Sequence, residues 1–177
     1  MKMKRILICI VLLLIGRSIV FSCNQREDCD SINFVPENIN KILKDSLNQF
    51  ELPNKIVFNE SWKEYTNSKY PYICKCDFNG DKKSDFAFIL VSKNQKELLV
   101  IVLLSTEKSY NIYRIKQFPL DEKEIPLALS IEKKGTWESP TGKKVIKNNG
   151  LVIYWITESK SYFYYWNNRK FYRFYAD

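Results

Sequence analysis

The chain has 177 residues, with 28 Lys and Arg against 20 Asp and Glu, five Cys and no His. Without histidine there is no Ser-His-Asp or Cys-His nucleophile system, no imidazole zinc site and no imidazole general base. A catalyst built from this chain would have to use carboxylates, Lys, Tyr or a Ser-Lys pair, so the composition does not point to an enzyme.

The first five residues, Met1-Lys2-Met3-Lys4-Arg5, are basic, and Ile6 to Ile15 form an unbroken apolar run. Ten residues span about 15 Å as a helix, against roughly 30 Å of bilayer hydrocarbon, so the run reads as a signal-peptide core rather than a membrane span. Val20-Phe21-Ser22-Cys23 follows. It resembles the lipobox of bacterial lipoproteins, where an aliphatic residue at −3 and a small one at −1 precede a Cys that takes the lipid and becomes the new N-terminus. The resemblance implies a signal peptide over residues 1–22, Cys23 as lipid acceptor, and a protein anchored in the cell envelope, periplasmic or surface-exposed. The alternative is an ordinary secretory signal that ends near a Cys. Asn24 at +2 leaves the leaflet open.

Cleavage after Ser22 would remove Lys2, Lys4, Arg5 and Arg17 and no acid, leaving 24 basic and 20 acidic residues, a net of +4. That is too mild for a nucleic-acid footprint. Cys29, Cys74 and Cys76 are the disulfide candidates, in a compartment where disulfides persist. Cys74 and Cys76 share one strand face, so a bond from Cys29 to either is favoured over a strained ring between them.

Residues 23–33 read as a polar tether and residues 34–177 as a single domain. Pro36 can open a helix with Glu37 near its positive end, and Ile39, Ile42, Leu43, Leu47 and Phe50 recur at helical spacing. That predicts an amphipathic helix of about fifteen residues, ending at Leu52-Pro53. Strands are predicted at 55–58, 70–76, 85–92, 97–105, 110–117, 127–132, 144–146, 151–157, 162–166 and 171–175, most separated by polar turns. Leu98–Leu104 is apolar throughout, which predicts a central strand covered on both faces. Asn149-Gly150 is a hairpin signal between 144–146 and 151–157. The expected class is α+β: one N-terminal amphipathic helix packed on a curled, mainly antiparallel β-sheet.

One segment carries chemistry. In Asp77-Phe78-Asn79-Gly80-Asp81-Lys82-Lys83-Ser84-Asp85, oxygen side chains occupy positions 1, 3, 5 and 9, and the Lys83 carbonyl sits at position 7. A tight loop can turn such a set towards one hard cation, and calcium accepts six to eight oxygens in loose geometry. The segment resembles the calcium loop of FG-GAP and VCBS-type repeats through Asp77, Asn79, Gly80, Asp81 and Asp85. That resemblance implies calcium held by Asp77, Asn79, Asp81, Lys83 and Asp85, in a structural role. Lys82 stands where those repeats prefer Gly, so a left-handed backbone there would cost about 1 kcal/mol. The alternative is a hairpin turn whose acids are solvated or bond backbone amides.

The C-terminal region is dense in rings. Period-two alternation puts Tyr162, Tyr164 and Trp166 on one face of a strand and Phe163 with Tyr165 on the other. If exposed, the first face would suit a protein or glycan partner. Glu60, Glu64, Asp121, Glu122, Glu124 and Glu138 could supply a glycosidase pair, but the sequence brings no two of them to the required separation. The expected function is therefore a non-enzymatic, lipid-anchored, monomeric envelope protein with a β-rich binding domain. The runner-up is an inhibitor or immunity-type lipoprotein that blocks a hydrolase or toxin with residues 118–143 as an inserting loop.

Overall fold

The computed structural model describes residues 35–53, 56–121, 123–139 and 142–174. The lipobox with Cys23, the tether and Cys29 lie outside them. Strands account for 53% and helices for 11% of the structure, so the class is mostly β and the α+β expectation is corrected. Among the described residues there is one α-helix, α1 (Glu37–Ser46), ten residues long rather than about fifteen. Leu47 leaves helical geometry at φ −134°, and Phe50 is claimed by a strand pairing opposite Ser92.

The first sheet is built on the two most apolar stretches. β4 (Asp85–Ser92) and β5 (Glu97–Ser105) form a hairpin in which Phe86 faces Leu103 and Val91 faces Leu98. Ser92 closes the turn, its Oγ accepting from the Glu97 amide at 3.0 Å and the Lys96 amide at 3.2 Å. β6 (Tyr110–Pro119) adds to the other side of β5, with a register shift between Val100 and Ile101. β3 (Ile73–Cys76) and the short β1 (Phe50–Glu51) share the remaining edge of β4. Alternation sorts the side chains: Leu98, Val100, Val102 and Leu104 of β5 face one core, Leu99, Ile101 and Leu103 the other. α1 covers the second of these through Ile39 and Leu43, joined by Leu47 just past its end.

The expected single curled sheet is in fact two. The second sheet has the order β13-β12-β11-β8, from β8 (Leu127–Glu132), β11 (Gly150–Trp155), β12 (Lys160–Asn167) and β13 (Lys170–Phe174). It packs on the first through Leu127, Leu129, Leu151, Ile153, Tyr162 and Tyr164, which share one buried cluster with Ala87, Ile89, Val100 and Val102. Each large apolar side chain removed from water there contributes about 1.5–3 kcal/mol, the main reason the sheets stay together. A parallel bridge of β2 (Val57–Phe58) and β7 (Glu124–Ile125) adds a small annex.

One further expectation is overturned. Residues 144–146 do not pair with 151–157 across Asn149-Gly150. Instead β10 (Gly142–Ile146) pairs with β9 (Gly135–Ser139), a strand the sequence does not announce. Gly150 is the first residue of β11, and its value lies in close approach: a Cβ there would overlap the Phe163 ring. Within residues 118–143 the strand expected at 127–132 is β8, which pairs with β11. The β9–β10 hairpin covers the outer face of the second sheet, where Ile146 and Trp137 meet Phe163, Tyr165 and Phe174.

Candidate functional site

The turn between β3 and β4 brings some of the expected metal ligands together and turns one away. Asp77 Oδ1 accepts from the Gly80 amide at 2.6 Å and its Oδ2 from the Lys82 amide at 2.8 Å. Asn79 Oδ1 accepts from the Asp81 amide at 2.9 Å, and Asp81 Oδ1 from the Lys83 amide at 2.8 Å. The Asn79 amide group also donates to Asp81 Oδ2 at 3.2 Å. These bonds are local side chain-to-backbone bonds of the Asx kind, which tighten a turn and orient its acids. Gly80 has φ +82° and Lys82 φ +66°, so the left-handed position expected at Lys82 is present and carries a side chain.

Asp85 behaves differently. It is fully buried at the start of β4, and its oxygens are taken by three donors. The Phe78 amide donates to Oδ2 at 2.9 Å, while the Ser105 amide and Oγ donate to Oδ1 at 2.8 and 3.0 Å. Burial raises its pKa above 3.8, the three hydrogen bonds partly oppose this, and the charge of Asp81 adds to the rise. Asp85 is thus a clasp that ties the turn to the end of β5. Among the described residues no three Asp, Glu, Cys or His side chains gather as a metal set.

The aromatic strand places its rings inside. Tyr162 and Tyr164 are buried in the core between the sheets, with Trp166 packed against it, so they do not form the exposed partner face considered from sequence. Phe163 and Tyr165, on the other face, are covered by the β9–β10 hairpin. Cys74 and Cys76 are buried on the inter-sheet side of β3. The carboxylates considered for catalysis are spread over three elements, with Glu122 outside the described residues. Glu60 and Glu64 are on a 3-10 helix (Glu60–Glu64), Glu124 on β7, and Glu138 in an ion pair with Lys143 at 3.2 Å.

One arrangement escapes sequence reading. Tyr162 of β12 carries Lys116 Nζ of β6 at 3.6 Å from its ring centroid and Arg173 Cζ of β13 at 4.5 Å. Lys116 also lies over Phe118, whose ring meets both Trp155 and Tyr162 edge-on. Beside this group Tyr113 of the first sheet meets Trp166 and Phe171 of the second, at 5.0 and 5.8 Å between ring centroids. The only advance signal is that Lys108–Leu120 and Ser159–Ala176 contain cations and no acid. Nothing local says that the two stretches meet.

Fold and site together define a mostly-β domain of two stacked antiparallel sheets, capped by a helix on one side and a hairpin on the other. No protein-family model matches the chain, and neither curated proteins nor solved structures give a significant match. Among the described residues no helix is long and apolar enough to cross a membrane.

Proposed function

We propose that the protein is a non-enzymatic, lipid-anchored component of a bacterial cell envelope, whose two-sheet domain binds a partner outside the cytoplasm. The observation that carries this reading is the sequence Val20-Phe21-Ser22-Cys23 after a basic start and a ten-residue apolar run. The complete lack of His, and the use of the buried acid Asp85 as a structural clasp, support a binding rather than a catalytic role. The test is fractionation with radiolabelled palmitate. The wild-type chain should take up label and sediment with membranes, and Cys23→Ser should do neither. A labelled or membrane-bound Cys23→Ser protein would refute the anchor.

In this reading calcium acts as a structural ion at the β3–β4 turn, held by Asp77, Asn79, Asp81 and the Lys83 carbonyl, with Asp85 supporting the loop from beneath. Asp77 Oδ2, Asn79 Oδ1 and Asp81 Oδ1 each accept one amide and keep a lone pair for a cation, whereas Asp77 Oδ1 already accepts from the Gly80 and Asp81 amides. A ligand that binds only the native state raises its stability by mass action. Millimolar Ca²⁺ should therefore raise the melting temperature of the wild-type protein but not of Asp81→Ala. Equal melting curves with Ca²⁺ and with a chelator would show that the amide bonds alone close the turn.

A further inference from the structure

Among the described residues β6 (Tyr110–Pro119) is the longest strand, and it stands at the end of its sheet. It pairs with β5 on one side and, among those residues, makes no backbone hydrogen bond on the other. A row of its N–H and C=O groups therefore points outward, a template for a further strand. All its residues except Phe118 are exposed or half-buried, and Pro119, with no N–H, ends the template. The strand carries Arg114 and Lys116 and no acid. On a regular strand residues at this spacing would share a face. The register shift changes that, because Ile115 is the extra residue of a bulge. Arg114 lies opposite Ile101, which faces the core under α1, and Lys116 opposite Val100, which faces the inter-sheet core. A positive charge thus borders the edge on each face of the sheet. Neither makes an ion pair among the described residues. Lys116 lies over the rings of Phe118 and Tyr162, and Arg114 is exposed.

This charge pattern selects the strand that the edge accepts. A second copy of β6 would set Arg114 and Lys116 against the same cations, and like charges across a strand pair destabilise it. An uncharged strand gains nothing from either. An extended acidic segment gains from both, because its side chains alternate between the two faces and meet a cation on each. Each such opposite-charge pair strengthens binding by up to about fivefold, beyond what the main-chain bonds supply. We propose that the free edge of β6 is a docking site for an acidic, extended segment of a partner protein, which adds to the first sheet as a further strand. This names the kind of partner for the binding domain proposed above; it rests on that binding role and not on the lipid anchor or the β3–β4 turn.

The test uses the full chain with Cys23→Ser, so that covalent lipid plays no part. The probes are synthetic peptides about ten residues long, the length of β6, rich in Val and Thr and carrying Glu, Gln or Lys at the same positions. Binding is followed by NMR at the backbone amides of β6. We expect saturable shifts and slowed amide exchange in β6 with the Glu peptide, weaker effects with the Gln peptide and none with the Lys peptide. Arg114 is exposed, so its replacement leaves the core intact. Arg114→Glu should bind the Glu peptide about tenfold more weakly, and Lys143→Gln as tightly as the unsubstituted residue does. Methylating every peptide nitrogen of the Glu peptide keeps its charge, removes its donors and should abolish binding. Equal binding of the Glu and Lys peptides, undiminished binding of the methylated peptide, or shifts confined to other strands would overturn the site. A concentration-dependent dimer that protects β6 without peptide would assign the edge to a second copy and also overturn it. Palmitate labelling is untouched by any of these outcomes, so the anchor and the docking edge fail separately.

Discussion

Asp85 closes the β3–β4 turn from below. Its carboxylate is fully buried and satisfies the amides of Phe78 and Ser105 together with the Ser105 hydroxyl. Asp85→Ala leaves those donors without an acceptor and should cost about 2–4 kcal/mol in urea denaturation. The pH dependence has a definite sign. Burial raises the folded-state pKa above 3.8, so between 3.8 and the folded value the native state binds more protons than the unfolded chain. The stability that Asp85 contributes through protonation is complete below 3.8 and is lost as pH rises through the folded pKa. The difference in unfolding free energy between wild type and Asp85→Asn should therefore fall as pH rises through that window. A difference that grows instead would mean that the three hydrogen bonds outweigh burial.

At the scale of elements, the β9–β10 hairpin is held to the second sheet mainly by Ile146 and Trp137 against Phe163, Tyr165 and Phe174. That small cluster is separate from the two larger cores. Trp137 also keeps its indole N–H buried with no acceptor among the described residues, a cost that weakens the seat of the hairpin. Elements of this kind open before the whole domain does. Ile146→Ala should speed amide exchange between Thr136 and Val145 by at least about tenfold and leave β4 and β5 amides unchanged, measured by hydrogen-exchange mass spectrometry. Equal acceleration throughout would make the hairpin part of the global unit.

For the whole molecule, β5 is the shared wall: Val100 faces the inter-sheet core and Ile101 the core under α1. The two faces cannot unfold separately while they share one backbone. Ile101→Ala should cost about 2–4 kcal/mol, and Val100→Ala should also destabilise, each moving a single transition. A second transition in either variant would show that α1 and its core fold as an independent layer.

The strands were legible in the sequence where their information is local. Asp85–Ser92, Glu97–Ser105 and Leu127–Glu132 are read to the residue, because turn residues bound each run and apolar content fills it. The left-handed backbone at Lys82 was legible only through the resemblance to calcium loops that prefer Gly at that position. Pairing was not legible. Lys144, Val145 and Ile146 pair with Trp137, Thr136 and Gly135, while Asn149-Gly150 only leads into β11. Which aromatic face of β12 is inside, and whether Asp85 turns towards its loop or towards Ser105, also depend on residues far along the chain. Alternation, turn chemistry and the apolar leader act between neighbours, so the sequence by itself determined the strands, the turn and the expectation of an anchor. Sheet order and side-chain burial depend on contacts that local sequence does not encode. Only the tertiary structure could divide one expected sheet into two and bring Lys116 and Arg173 to the same ring.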